Sequence, residues 1–124
     1  MGKFVIKETK TGIKFDLKAS NGEIIATSEV YNSEAACKKG IESVRKNAPI
    51  ANLEDQTVEG FEQQKNPKFE LYMDKAGEVR FRLKARNGEI IAVSEGYKMK
   101  SSAKNGIESV KKNAPDAEVE KVEA

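Results

Sequence analysis

The sequence predicts an α+β protein made of two tandem copies of one β-β-β-α-β unit. The first observation is an internal repeat: Asn-Gly-Glu-Ile-Ile-Ala at residues 21–26 returns unchanged at residues 87–92. The second is an alternation of apolar and polar residues just before each copy of this motif, the period of a strand with one buried face. The third is a change to helical spacing after the motif. Three strands, a helix and a last strand account for each copy.

The shared motif predicts a hairpin. Asn and Gly both tolerate positive φ, so the Asn-Gly pair favours a two-residue type I′ turn between antiparallel strands. This turn places Leu17 opposite Ala26 on the apolar face of the sheet. The same register puts Ile25 and Ile91 on the opposite face, where they are expected to be exposed. An earlier strand opens each unit, at residues 4–8 in the first copy.

The helix of each copy follows from apolar and small residues at spacings of three and four. They are Cys37, Gly40, Ile41, Val44 and Ala48 in the first copy, and Ala103, Gly106, Ile107, Val110 and Ala114 in the second. Glycine in the middle of a helix costs roughly 1 kcal/mol relative to alanine. Gly40 and Gly106 therefore predict a close approach of the helix to the sheet. Weaker strands at residues 51–58 and 117–122 complete the two units.

The repeat also gives the predicted domain organisation. Residues 1–58 form the first unit, the polar residues 59–66 form a linker, and residues 67–124 form the second unit. A unit of about sixty residues buries too little surface to be more than marginally stable alone. We therefore expect the two units to share one sheet and one core, with pseudo-twofold symmetry within a monomer.

Composition does not point to a particular partner, but it indicates the compartment of the protein. The chain has 22 basic and 20 acidic residues, and its net charge of +2 is far from the strong positive field of a dedicated nucleic-acid binder. Cys37 is the single cysteine, so no disulfide framework exists and a reducing compartment is expected. The sequence contains no apolar run of membrane-spanning or signal-peptide length. We expect a soluble cytoplasmic protein without a membrane partner.

The sequence also lacks the usual means of catalysis. Histidine is absent, and with it the ordinary general base at neutral pH and the most common nitrogen ligand of zinc. Cys37 lies on the apolar helix face and is predicted to be a buried thiol. Tyr31 and Tyr97, at the step from strand to helix, are either buried anchors or the rims of a pocket. No phosphate loop or cofactor motif is present, so we expect neither an enzyme nor a bound cofactor or metal.

Two carboxylates recur at equivalent positions and have a structural explanation. The hairpin register places Glu29 opposite Lys14, and Glu95 opposite Arg80. Surface ion pairs across neighbouring strands account for these acids, and such pairs contribute about 0–1 kcal/mol each.

One group of residues offers a functional hypothesis. Four cations at alternate positions are predicted to project from the sheet face that no helix covers, beside Tyr72 on the neighbouring strand. They are Arg80, Arg82, Lys84 and Arg86. Cations beside an aromatic ring on an open sheet are used to bind single-stranded nucleic acid. The leading hypothesis remains a non-enzymatic binding or structural module of unassigned partner, and weak single-stranded nucleic-acid binding is the alternative.

The repeated motifs resemble those of the YegP-like family of small bacterial proteins. The resemblance rests on the paired Asn-Gly-Glu-Ile-Ile-Ala hairpins, the Ser-Glu-x-Tyr step, and the Gly-Ile-Glu-Ser-Val-x-Lys-Asn-Ala-Pro helix end. It implies one continuous antiparallel sheet whose repeats exchange their C-terminal strands, with two helices on one face and an open polar second face. No biochemical activity comes with the resemblance.

Overall fold

A computed structural model describes residues 2–122 and contains one sheet and one helical layer. The first repeat comprises β1 (Lys3–Glu8), β2 (Ile13–Lys18), β3 (Ile24–Thr27), α1 (Glu34–Asn47) and β4 (Asn52–Asp55). The second comprises β5 (Lys68–Met73), β6 (Val79–Lys84), β7 (Ile90–Val93), α2 (Lys100–Asn113) and β8 (Glu118–Lys121). Each helix continues into a short 3₁₀ turn that contains the proline, Ala48–Ile50 or Ala114–Asp116. The β-β-β-α-β unit is therefore present twice, as predicted.

The strand order confirms that the repeats exchange their last strands. The eight strands form one sheet in the order β4-β5-β6-β7-β3-β2-β1-β8. Strand β4 of the first repeat lies beside β5 of the second, and β8 of the second lies beside β1 of the first. The two repeats meet where β3 and β7 run antiparallel, with Thr27 paired to Val93. A pseudo-twofold axis passes through this junction.

The direction of the exchanged strands corrects one part of the prediction. The sheet is mixed, because β4 runs parallel to β5 and β8 runs parallel to β1, while the other pairings are antiparallel. Strand β4 runs opposite to β3 of its own repeat. Because β3 and β7 are antiparallel at the junction, β5 also runs opposite to β3. The exchanged strand therefore meets the first strand of the other repeat pointing the same way.

The hairpin turns differ from the predicted type I′ form. Gly22 has φ 87°, but no non-glycine residue among residues 2–122 has positive φ. The Gly22 amide donates to the Ala19 carbonyl (2.9 Å), and the Ala19 amide donates to the Glu23 carbonyl (2.8 Å). This is a type I turn followed by a glycine bulge, in which Asn21 needs no left-handed conformation. Leu17 still pairs with Ala26, as predicted, but the register shifts next to the turn.

The prediction that Ile25 and Ile91 are exposed is wrong. Their side chains are only 7% and 6% exposed, whereas Ile24 is 45% exposed. Ile25 lies beside Lys14 and Arg80 in a hollow of about 330 Å³ on the sheet face away from the helices. The aliphatic stems of such long side chains can cover an apolar neighbour while their charged ends stay in water.

The helical layer joins both repeats into one core. Helix α1 packs over β2 and over β7 of the other repeat, and α2 packs over β6 and β3. Phe4 and Phe15 are fully buried and meet edge to face at 5.6 Å, and Phe69 and Phe81 repeat the arrangement at 5.9 Å. Since each helix covers strands of both repeats, neither repeat has a complete core of its own.

The helical glycines allow the predicted close approach, and the neighbour is a tyrosine. The Tyr31 ring stacks on Phe15 with centroids 6.3 Å apart, and its hydroxyl reaches α1 where a β-carbon on Gly40 would lie. Gly106 has the same relation to the Tyr97 hydroxyl, at 2.8 Å from the position of such a β-carbon. Burial, and then the charge of Glu29, raise the pKa of Tyr31 to about 12. Both tyrosines act as partly buried anchors.

The shared core predicts a single unfolding transition. Calorimetry and urea titration followed by circular dichroism should give one coincident transition for the full chain, because the helices and exchanged strands connect both repeats. Residues 1–58 alone should show little folded structure at the same temperature. Two resolved transitions, or a stably folded fragment, would contradict the shared core.

The tyrosine contact predicts that Gly40→Ala destabilises the protein although alanine favours helices. Inserting a methyl group against a packed ring costs about 1–3 kcal/mol in the free energy of unfolding, measurable by urea titration. Lys39→Ala, at the exposed neighbouring position of the same helix, is the control and should change stability by no more than about 0.5 kcal/mol. A neutral or stabilising Gly40→Ala would show that the helix is not held against Tyr31.

Candidate functional site

The structure brings together three of the four predicted cations, and each of these three is already paired with a carboxylate. Arg80, Arg82 and Lys84 project from β6 on the face away from the helices. Arg80 contacts Asp74 at 2.6 Å, while Arg82 and Lys84 contact Glu70 at 2.5 and 3.3 Å. The Arg82 guanidinium also lies over the Tyr72 ring, 4.6 Å from its centroid. Nucleic-acid binding through this face stays a prediction, and these internal partners weigh against it.

Arg86 lies apart from the other three cations. The register shift next to the turn interrupts the alternation after Lys84, and Arg86 occupies the exposed turn between β6 and β7. There it faces the C-terminal end of α1, beside Lys46 and Asn47. Its guanidinium forms no hydrogen bond or ion pair with any residue among 2–122. The predicted row of four cations is therefore a row of three paired ones and one separate, unpaired one.

A buried charge network explains why β5 and β6 carry so many ions, and sequence reasoning missed it. Glu54, Lys68 and Glu70 are 2%, 5% and 3% exposed. The Lys68 ammonium lies between the two carboxylates, 2.8 Å from Glu54 and 3.3 Å from Glu70. The segment between β4 and β5 covers this network, since the Gln64 amide donates to Glu54 at 2.7 Å. One part of the predicted open face is thus closed by the predicted linker, which contains no helix or strand.

These contacts set the ionisation of the buried groups. Burial raises the pKa of Glu54, but hydrogen bonds from Lys68, Gln56 and the Gln64 backbone outweigh burial and hold that pKa at about 2. Glu70 likewise has a lowered pKa, because Arg82, Lys84 and Lys68 outweigh the effect of its burial. The network is ionised and satisfied, as a buried ionic cluster must be.

The first repeat also has a buried carboxylate that is paired with cations on this face of the sheet, but it uses different residues. Asp16 is 2% exposed and lies 2.6 Å from Lys7 and 3.6 Å from Lys14. Its carboxylate also accepts a hydrogen bond from Thr27 at 2.7 Å. The predicted pairs of Lys14 with Glu29 and of Arg80 with Glu95 are therefore wrong. The acids that pair with these cations, Asp16 and Asp74, come from the middle of a strand and from a turn.

Two twofold-related grooves lie between the C-terminal end of each helix and the hairpin turn of the other repeat. We call them groove A and groove B. Groove A has a volume of about 540 Å³ and is lined by Ser43, Lys46, Asn47, Ile50, Ala85, Arg86 and Asn87. Groove B has a volume of about 320 Å³ and is lined by Ala19, Ser20, Asn21, Asn105, Glu108, Ser109, Lys112 and Asn113. Each groove takes its walls from both repeats.

The linings of the two grooves share the same polar groups. Four pairs of polar residues are identical in the two grooves: Ser43 and Ser109, Lys46 and Lys112, Asn47 and Asn113, and Asn87 and Asn21. The copies differ at many other exposed positions, including the residue before the shared Asn-Gly pair, Ser20 in one and Arg86 in the other. The repeats thus retain a common set of hydrogen-bonding groups in their concave surfaces.

Local hydrogen bonds determine which side-chain donors and acceptors remain available in each groove. The Asn47 side-chain amide donates to the Ser43 carbonyl at 2.8 Å and to its hydroxyl oxygen at 3.1 Å, so its own oxygen remains an acceptor. The Asn87 side-chain oxygen accepts from the Glu89 amide at 3.0 Å, which leaves the Asn87 amide group as a donor. Each groove therefore offers positioned amides, a hydroxyl and an ammonium group.

The fold and these grooves define a tandem-repeat α+β protein with strand exchange. No helix in the part of the chain that the structure describes is long and apolar enough to cross a membrane. The family described as a domain of unknown function, DUF1508, matches the chain twice, over residues 10–55 and 74–120. The chain belongs to this family, and the YegP-like resemblance is confirmed.

Relatives and solved structures agree with this assignment. The UPF0339 protein YegP of Yersinia pestis is 42% identical over 114 residues, covering 91% of this chain and 88% of that protein. The solution structure of YegP from E. coli, a protein of unknown function, is 36% identical and covers 97% of this chain and 91% of its own, with a TM-score of 0.78. A UPF0339 protein of Treponema denticola is 62% identical over 55 residues, which are 44% of this chain but 95% of that relative. One repeat therefore corresponds to nearly the whole of that relative.

The buried network predicts a specific loss of stability in acid. Because the folded-state pKa of Glu54 lies below its usual 4.5, its contribution is complete above that pH and is lost as the pH falls towards about 2. Glu54→Gln should lower the free energy of unfolding at pH 7 by about 1–3 kcal/mol. It should also flatten the decline of stability between those two pH values, measured by urea titration.

The equivalent residue of the second repeat is the control. Glu120 pairs with Lys3 at 3.1 Å, and both side chains are about half exposed. Glu120→Gln should therefore have a small effect at every pH, since exposed pairs contribute little. Equal effects of the two substitutions would show that burial does not distinguish the two sites.

Proposed function

We propose that this protein is a non-enzymatic binding module that recognises its partner through grooves A and B. The observation that carries the proposal is the repetition of the same polar lining in two concave surfaces, each assembled from both repeats. Concave surfaces with a few positioned polar groups are the usual form of ligand sites. The module would act as a monomer in the cytoplasm, as the single cysteine and the intrachain pairing of the repeats suggest.

The ionisable groups support a role without catalysis. General acid and base catalysis needs groups whose pKa values approach the working pH. Among the described residues, every pKa that is shifted moves away from neutrality: carboxyl values fall, and those of Lys68, Arg80, Tyr31, Tyr97 and Cys37 rise. No three metal-ligating side chains among residues 2–122 come together as a metal site. The stable charge states suit a rigid scaffold that presents a binding surface.

A pair of matched double variants tests whether the grooves are the binding surface. Lys46→Glu with Lys112→Glu reverses one charge in each groove. Lys10→Glu with Lys75→Glu makes the same change in the turns at the opposite ends of β2 and β6, which are also equivalent and exposed. The full-length proteins are immobilised and exposed to cell extract, and bound molecules are identified by mass spectrometry. Molecules held by the parent protein should be lost from the groove variant and kept by the turn variant.

The comparison also defines failure of the proposal. Retention of the same molecules by the groove variant would place the binding surface elsewhere. Loss from the turn variant alone would exclude the grooves. Both variants change exposed positions, and thermal unfolding should confirm that each keeps the fold before binding is compared.

A further inference from the structure

We infer that groove A binds a phosphate monoester group, which groove B does not. The inference rests on the proposed function and assigns a ligand class to one of the two grooves. The differences in charged residues between the grooves carry it, because both grooves contain the same four polar residues.

Groove A holds two cations that have no partner in the described chain. Neither Lys46 nor Arg86 forms an ion pair or hydrogen bond with residues 2–122, although both line the same groove. On the sheet face, by contrast, Arg80, Arg82 and Lys84 are each held by a carboxylate. A phosphate monoester carries a charge of about −1.5 to −2 at pH 7, which two cations would balance. An arginine also offers paired N–H donors that match phosphate oxygens.

Neutral donors complete the lining of groove A. The Asn87 amide group is free to donate because its oxygen is held by the Glu89 amide. The Ser43 hydroxyl oxygen accepts from Asn47, so its hydrogen can point towards a ligand. A phosphate has several acceptor oxygens, and this set of two cations, an amide and a hydroxyl provides donors for them.

Groove B has the same plan but a lower net charge, because it has one cation fewer and one carboxylate more than groove A. Ser20 stands in place of Arg86, which removes one cation. Glu108 lines groove B, whereas its equivalent Glu42 pairs with Arg45 at 3.2 Å and does not line groove A. Groove B thus combines Lys112 with a carboxylate, and its net charge is close to zero.

Lys46 also has a structural role that does not involve a ligand, and the experiment must distinguish this role from ligand binding. Lys46 lies in the last turn of α1, where a cation stabilises the helix through its dipole. Arg86 lies in a hairpin turn outside the helix. Replacing Arg86 therefore changes the charge of the groove without changing any residue of the helix.

Titration by NMR tests the inference on the full-length, ¹⁵N-labelled protein at low ionic strength. The probes are O-phosphoserine, inorganic phosphate and acetate. O-Phosphoserine should cause saturable shifts in the amides of residues 43–47 and 85–88, and acetate should bind at least tenfold more weakly. Comparison with inorganic phosphate distinguishes recognition of the ester from recognition of the free ion. Arg86→Ser, which copies groove B, should weaken O-phosphoserine binding at least tenfold.

The reverse exchange provides the complementary test. Ser20→Arg with Glu108→Gln gives groove B the charges of groove A and should create a second set of saturable shifts at residues 19–22 and 109–113. Lys75→Ser, an exposed change in a distant turn, should leave the affinity unchanged. Unchanged affinity in Arg86→Ser, or equal shifts in both grooves of the parent protein, would overturn the inference. Groove-dependent capture from extract would in that case still support the proposed function, with a different ligand class.

Discussion

The exchange of β4 and β8 between the repeats is the constraint on which the rest of the structure depends. Each exchanged strand extends the sheet of the other repeat, and each helix packs over strands from both. A unit of this size buries a smaller fraction of its surface on folding than a larger domain does, and is only marginally stable alone. Joining two such units into one sheet and one core removes that limit. The exchange also places the end of each helix next to the hairpin turn of the other repeat, and so creates both grooves.

The two repeats share a backbone plan but distribute charge differently on the sheet face away from the helices. In the second repeat, Glu70 lies on β5 and Arg82 on β6. In the first repeat, the equivalent positions hold Val5 and Asp16, and the cation paired with Asp16 is Lys7 on β1. The acid is thus on the first strand of the second repeat but on the second strand of the first repeat. The cation is on the other strand of the pair in each case. A cross-strand pair is maintained in both repeats although the residues at equivalent positions are different.

Most of the architecture could be predicted from the sequence because it depends on local periodicity. The alternation of residues identifies the strands, the helical spacing identifies α1 and α2, and Gly40 correctly indicates a close contact above the sheet. The parallel direction of β4 and β8 could not be read in this way, since it depends on how the twofold junction orients the repeats. The glycine bulge was missed because Asn-Gly is compatible with two turn types, and only the backbone angles distinguish them.

The difference between local periodicity and tertiary arrangement also explains which parts of the candidate site could be predicted. Alternation correctly places Arg80, Arg82 and Lys84 on one face, but it cannot show that Glu70 neutralises two of them. The burial of Glu54 and Lys68 depends on the path of the segment before β5, which has no periodic pattern. The alternation predicts Arg86 as the fourth cation on this face, but the bulge interrupts the alternation and Arg86 lies beside the end of α1 instead. Arg86 is thus the most informative cation for function. The periodic pattern fails at this residue, and the backbone there leaves its charge without a partner among residues 2–122.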